Sequence, residues 1–570
     1  LGKSGNTGAI TVDGAITVAG PIAITGGAVT LSADIATTSG SIGLTTTTLT
    51  GTGGIAIPSG GTLTINQTGT STYDGLISGA GGLTKSGAGA LSLTANETFS
   101  GATAVSAGTL ALGIGGATGW LSNTSGIAID GTLQVFRGAD VTLSAPLSGA
   151  GTLEIKGAYR ATFSSNLTTT AQTIATGTTV AEVVRRLAGG MLNGTAIVGA
   201  GTVREAGAYQ VNFDPVANVA TFQFQHYDTA YTKTVFVKLI QNGADVQALV
   251  DVATPYINGT AYIVPNLLGQ NMATYAGVTY DMALATSTGA TGYGVGRIDL
   301  TAKTTMSSLG TFSGTLKLST TTETGTGTNV YTKTIPGTLE LTGGLGSVTS
   351  IVNNGLIIVN DSTGATVNAP ISGTGALFKK GSATTTFAQG VTFSGVTVVG
   401  AGGLTLQGIY GSVSHTILSG ATLTLDIASG DRDFAATTFL GTGKLAKTGA
   451  GRALWGTAIG TFALGTGGLI DIQGGTFLGS SSSNEVWTNN YADVNVASGA
   501  TLAVAEGSVR VDALTGSGSV TVGGSGSTGM LVVGVDNTTA GTYNATAGTA
   551  TFSGVISDTA VGTTGALTKL

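Results

Sequence analysis

Leu83-Thr84-Lys85-Ser86-Gly87-Ala88-Gly89-Ala90-Leu91 is the stretch from which the fold of this chain is read. A near copy stands at Leu445-Ala446-Lys447-Thr448-Gly449-Ala450-Gly451, and a looser one at Leu377-Phe378-Lys379-Lys380-Gly381. Pieces of the same phrase open the chain, as Leu1-Gly2-Lys3-Ser4-Gly5, and close it, as Leu567-Thr568-Lys569-Leu570. Internal self-similarity of this kind means a repeat architecture, in which each unit buries its apolar face only by stacking on its neighbours.

Around the phrase, short alternating segments are punctuated by glycine. Ala9-Ile10-Thr11-Val12-Asp13-Gly14 is followed by Ala15-Ile16-Thr17-Val18-Ala19-Gly20 and Ile22-Ala23-Ile24-Thr25-Gly26. Ile or Val recurs at every second residue, which is the period of a strand with one buried face. β-Branched residues suit a pleated surface, and Gly supplies corners that need positive φ. A sandwich would close within a couple of hundred residues through two-residue Asn-Gly or Asp-Gly turns. Here the texture continues almost unchanged along most of the chain, so we expect stacked coils of roughly 20–30 residues, each paired with its neighbours at about 4.8 Å.

The composition agrees. Only 9% of the 570 residues are charged, against roughly a quarter in ordinary domains, while 41% are hydrophobic. That hydrophobic content excludes a disordered polar chain. No apolar run approaches the roughly 20 residues of a membrane-spanning helix. A net charge of −6 offers no electrostatic case for binding nucleic acid or an anionic membrane. The absence of Cys excludes disulfides, thiolate nucleophiles and cysteine zinc sites. Leu1 to Gly5 lacks the basic and apolar regions of a signal peptide, which reads as a mature chain or a fragment of one.

One region breaks the pattern. Eight of the 14 Tyr, among them Tyr227, Tyr231 and Tyr256, fall between residues 171 and 300. Thr179-Val180-Ala181-Glu182 has the form of a capping box, with Glu182 reaching back to the N-cap, and Val180, Val183, Val184 and Leu187 follow helical spacing up to Gly189-Gly190. Tyr209–Phe213 and Thr221–Gln225 flank Asp214-Pro215 as a hairpin, Lys233–Gln241 reads as a third strand, and Ala244–Val252 as a second helix. The expected organisation is therefore a β-solenoid over 1–170, an inserted α+β module over 171–300, and a β-solenoid again over 301–570.

The phrase at residue 83, continued by Leu91-Ser92-Leu93, Thr98-Phe99-Ser100-Gly101 and Val105-Ser106-Ala107-Gly108-Thr109-Leu110, resembles the passenger-associated transport repeat of bacterial autotransporters. A second copy keeps the frame in Ile371–Gly375, Thr392-Phe393-Ser394-Gly395 and Val398–Leu404, and the third, at residues 441–454, is partial. The resemblance implies a right-handed parallel β-helix of an adhesin-like or filamentous-haemagglutinin-like passenger, on a cell surface or released from it. No strand series with aromatic girdles, as an outer-membrane barrel requires, follows in this sequence.

Catalytic constellations are sparse. The histidines are His226 and His415, and a Ser-His-Asp site would have to use His226 with Asp214 or Asp228. A polar hairpin edge is the plainer account of His226. No His pair has zinc spacing. Gly2-Lys3-Ser4 and Gly441-Thr442-Gly443-Lys444 imitate a phosphate loop without its frame, and Lys85 and Lys447 read as coil-corner lysines. Asp426, Asp431 and Asp433 form the densest acidic group outside 171–300, read as a solvated loop held by Arg432 rather than a calcium site.

The function expected is structural, with no catalytic residue, cofactor or metal: a secreted or cell-surface adhesin shaft or fibre subunit. Tyr227, Tyr231 and Tyr256 are the candidate recognition face for a glycan or a host- or neighbour-cell ligand, although a small module also uses Tyr simply as core. Leu1, Lys3, Leu567 and Lys569 are candidate assembly ends, because completing the broken phrase across copies would make a head-to-tail homopolymer. A surface-layer protein and a polysaccharide-acting β-helix enzyme are the alternatives.

Overall fold

The computed structural model describes residues 1–163, 170–186, 208–214, 219–226, 233–250, 298–324, 332–408, 411, 414–434, 437–454, 461–480, 487, 489–505, 507–524, 529–535, 550–558 and 565–570. The chain is a parallel β-solenoid of about 18 turns. Ile22 pairs with Ile42 and Leu63 with Leu83, so a coil takes 20 residues there. Thr103 pairs with Ile127, which lengthens the next coil to 24.

The two-residue period becomes vertical ladders. Ile22, Ile42, Leu63, Leu83, Thr103, Ile127 and Leu147 stack one above another, and so do Ile24, Leu44, Ile65, Lys85, Val105 and Ile129. Both ladders are buried. The residues between them face outward and are small: Ala23, Gly43, Thr64, Thr84, Ala104, Ala128 and Ser148. Each inward Leu, Ile or Val contributes about 1.5–3 kcal/mol relative to an exposed one. Cohesion therefore comes from like-on-like stacking along the axis, while the outer faces need few charges.

The coils pass across the sequence region of aberrant composition without losing register. Thr152–Lys156 pairs in parallel with Thr315–Ser319, and Val141–Leu143 with Thr304–Met306. Between these points, Tyr159–Phe163 and Ile298–Thr301 pair antiparallel as a two-stranded neck. Beyond the neck lies a five-stranded antiparallel sheet, in spatial order Gln172–Thr176, Asp245–Val250, Lys233–Asn242, Val219–His226, Ala208–Asp214. The antiparallel pairing of Ala208–Asp214 with Val219–His226 and the third strand are as the sequence suggests. The second helix is not: Asp245–Val250 is a strand, joined to Lys233–Asn242 by a tight Gly243-Ala244 turn with Gly243 at φ 59°. Val246 and Ala248 are buried on one face, so period two governs where period 3.6 was read.

Helix α1, Val180–Arg186, is buried at every residue. Its N-cap is Thr179, whose Oγ1 accepts the Glu182 amide N–H at 3.2 Å. In the C-terminal half the core turns aromatic. The rings of His415, Phe439 and Phe462 follow at 5.2 Å centroid spacings, and Trp487 lies 4.4 Å beyond Phe462.

Candidate functional site

Lys85 shares its strand face with Leu83, so its side chain enters the solenoid and the corner-lysine reading is wrong. Ile65 lies on one side of it in the ladder and Val105 on the other. Its Nζ donates to the carbonyl oxygens of Ser86 at 2.7 Å and Gly87 at 2.9 Å. Lys447 is buried likewise and donates to Gly449 at 2.7 Å, Gly451 at 2.6 Å and Gly474 at 2.9 Å. Lys379 donates to the Gly381 carbonyl and sits 2.8 Å from Asp361. In all three copies the ammonium takes the carbonyl two residues onward, which explains Lys-x-Gly as a unit.

The glycine of the phrase is a requirement of this corner. Gly87 has φ 76°, and a Cβ there would meet the Gln67 carbonyl oxygen at 2.3 Å. Gly449 has φ 77° and would meet the Ile427 carbonyl oxygen at 2.2 Å. The corner thus turns a carbonyl inward over the core, where the lysine satisfies it. Burial lowers the Lys85 amine below its ordinary value and brings Lys447 down to about 8. In the same repeat coil, burial pushes the Glu97 carboxyl up to about 8, although its Oε2 accepts the Ile77 amide at 2.5 Å.

A second polar cluster joins α1 to the flank of the solenoid. Glu182 does not close a capping box; its carboxylate meets Lys380 at 2.6 Å, Lys303 at 3.3 Å and Arg186 at 3.5 Å. Lys380 also reaches Glu340 at 3.0 Å, and Lys303 pairs with the other oxygen of Glu340. Arg186 completes the cluster by donating to both oxygens of Asp140, at 2.8 and 3.1 Å, and to the Thr301 carbonyl. Burial alone would raise Glu182, but Lys303, Lys380 and Arg186 bring its carboxyl down to about 2. Glu340 is lowered and Lys380 raised for the same reason, the opposite charges outweighing burial.

The other sequence candidates separate. Tyr227, Tyr231 and Tyr256 lie outside the described residues, as does Asp228. Asp214 pairs with Val219 beside the turn, whereas His226 pairs with Lys233 at the far end, so the hairpin register keeps His226 and Asp214 apart. His415 is a core residue between Thr397 and Phe439 in its ladder. Asp431–Asp433 is a strand rather than a loop, and Asp431 is held by Arg452 at 2.6 Å, not by the Arg432 guanidinium, which donates to the Asp431 carbonyl oxygen. Asp426 accepts from Gln407 and Thr448 at 2.8 Å each. Among the described residues no group of three or more His, Asp or Glu could hold a metal ion, and no helix is long and apolar enough to cross a membrane. Leu1 and Lys3 are exposed in the first coil, where the Leu1 amine donates to Ala23 at 2.7 Å. Leu567 and Lys569 lie on Gly565–Lys569, in parallel with Gly529–Val533.

Residues 83–112 match the family described as the passenger-associated-transport-repeat. A stretch of 111 residues, 18% of this chain and 3% of the other protein, is 33% identical to the adhesin BmaC autotransporter of Brucella suis biovar 1 (strain 1330). A stretch of 93 residues, 16% of this chain and 9% of the other protein, is 38% identical to an extracellular serine protease of Serratia marcescens. The matches thus span only a small part of either relative. Within the parallel β-solenoid, the coil built around Lys85 is the part that matches the passenger-associated-transport-repeat.

Proposed function

We propose that this chain is the shaft of a cell-surface or secreted adhesin, and that residues 171–300 form the module it presents. The observation that carries this reading is the register of Thr152–Lys156 on Thr315–Ser319: one coil follows the next across more than a hundred intervening residues. A shaft whose ladder is unaffected by what leaves it at the neck is suited to holding a recognition module away from its own axis. The relative named as an adhesin supports the same role. Recognition then falls to the tyrosine-rich segment, with Tyr227, Tyr231 and Tyr256 facing a glycan or a surface ligand of a host or neighbouring cell.

Replacing residues 164–297 by a short linker tests this directly. The truncated chain should keep its β circular dichroism and lose adherence to cells. Adherence equal to that of the full chain would overturn the presentation role. The relative named as an extracellular serine protease suggests a catalytic passenger instead. Hydrolysis of a protein substrate by the purified chain, abolished by a serine-directed inhibitor, would favour that reading. Head-to-tail stacking of copies belongs to our proposal as its mode of assembly, and electron micrographs showing only separate rods at high concentration would remove it.

A further inference from the structure

The three repeat lysines differ in one respect. Lys85 and Lys447 are satisfied by backbone carbonyls, whereas Lys379 faces a carboxylate. The register shows where that carboxylate comes from. One coil earlier, Ile65 lies opposite Lys85, Val359 opposite Lys379 and Leu425 opposite Lys447. Two residues beyond each of these stand Gln67, Asp361 and Ile427. The second copy alone therefore places an acid against the lysine.

Both partners are fully inside the protein, with side-chain exposures of 0% for Lys379 and 1% for Asp361. Lys379 lies between Val359 and Val399 in its ladder. Nζ is 2.8 Å from Oδ1, while Oδ2 accepts the Thr385 hydroxyl at 2.8 Å in a buried bond. The Gly381 carbonyl holds the ammonium from the other side. The backbones are clamped together as well, since a Cβ on Gly381 would meet the Asp361 carbonyl oxygen at 2.0 Å. An isolated ion pair in an apolar interior carries a heavy desolvation cost, and a neutral pair does not.

We propose that Lys379 and Asp361 condense into an intramolecular amide that staples two consecutive coils. The ammonium passes one proton to Oδ1, leaving a neutral amine and a carboxylic acid. Nζ then attacks Cγ, and the developing charge on Oδ2 is stabilised by the Thr385 hydroxyl. The Cγ–Oδ1 bond breaks, Oδ1 leaves as water with the second amine proton, and the Nζ–Cγ amide remains. Nothing is oxidised or reduced, and no co-reactant is consumed. Fixed proximity inside the folded solenoid takes the place of an activating enzyme.

The test is the intact mass of the full chain under denaturing conditions, followed by peptide sequencing in the mass spectrometer. The expected result is a mass lower by one water, and a branched peptide joining Asp361 to Lys379. Lys379→Arg and Asp361→Ala should restore the full sequence mass. A wild-type chain at full mass overturns the proposal, and so does a water loss that maps elsewhere, for instance to a cyclic imide at Asp74-Gly75. The wild-type measurement decides even where a variant fails to fold.

Discussion

The Nζ of Lys85 donates to the carbonyl oxygen of Gly87, two residues further along the same strand end, at 2.9 Å. This short return ties the side chain that enters the core to the corner that closes the strand. A Gly87→Ala substitution disturbs both: φ of 76° is strained for alanine, and the new methyl carbon would collide with the Gln67 carbonyl of the preceding coil. The strain alone is about 1–3 kcal/mol. Denaturant titration should show a clear fall in stability for Gly87→Ala. Ser86→Ala removes only a half-buried hydroxyl and should lie within about 0.5 kcal/mol of wild type. Equal stability of the two variants would remove the role assigned to the corner.

Glu97 gives a pH dependence of defined sign. Its carboxyl titrates at about 8 in the fold and near 4.5 in an unfolded chain. Between those values the folded state binds the extra proton, so this group's contribution is full below 4.5 and is lost as pH rises through 8. Glu97→Gln, which copies the protonated acid, should therefore gain stability relative to wild type as pH rises from 5 toward 9. Parallel pH dependences of wild type and variant would argue against a protonated Glu97.

His415 acts in the opposite direction. Burial between Thr397 and Phe439 brings the imidazole down from 6.5 to about 4. The unfolded chain then binds the extra proton between pH 6.5 and 4, and the fold loses about 3 kcal/mol as pH falls through that window. His415→Phe extends the stack on Phe439 and removes the titrating group. Thermal melts should show wild type losing stability from pH 7 to 4.5 more steeply than the variant. Indistinguishable slopes would exclude His415 as the source.

The coil period and the strands were open to inspection in the alternation of Ile22 and Ile24, and of Ile42 and Leu44, because one buried face imposes period two directly on the residues. The direction of Lys85 was written in the same alternation, since it stands two residues after Leu83. Reading it as a corner residue puts it past the strand, whereas it is the inward residue of Gly82–Ser86 and its ammonium reaches forward to the Gly87 carbonyl of the corner. The aromatic stack was legible in part: His415, Phe439 and Phe462 are one coil apart, once coils are allowed to lengthen. Asp245–Val250 misleads because Val246, Leu249 and Val250 fit helical spacing as well as a strand, and only the neighbouring strand decides between them. Of the partners of Glu182 only Arg186, four residues on, carries a local signal; Lys303 lies 121 residues away and Lys380 198.

That last pairing yields the prediction that bears most on how the presented segment is held. Glu182 is the single acid of α1 and meets Lys303, Lys380 and Arg186 at once, so Glu182→Gln leaves the buried Arg186 and the half-buried Lys303 and Lys380 facing a neutral amide. Breaking one side of a buried ion cluster costs about 3–5 kcal/mol. The loss should fall on the attachment of α1, because the coils keep their own ladders on either side of Lys303 and Lys380. Hydrogen exchange should rise across 180–186 and stay unchanged at 83–112. Acid gives an independent check. With its carboxyl near 2 in the fold and 4.5 when released, Glu182 contributes fully above pH 4.5 and loses its hold as pH falls toward 2. Exchange across α1 in the wild type should therefore match that of Glu182→Gln at the acid end only, and matching rates already at pH 7 would mean that the cluster does not anchor the helix.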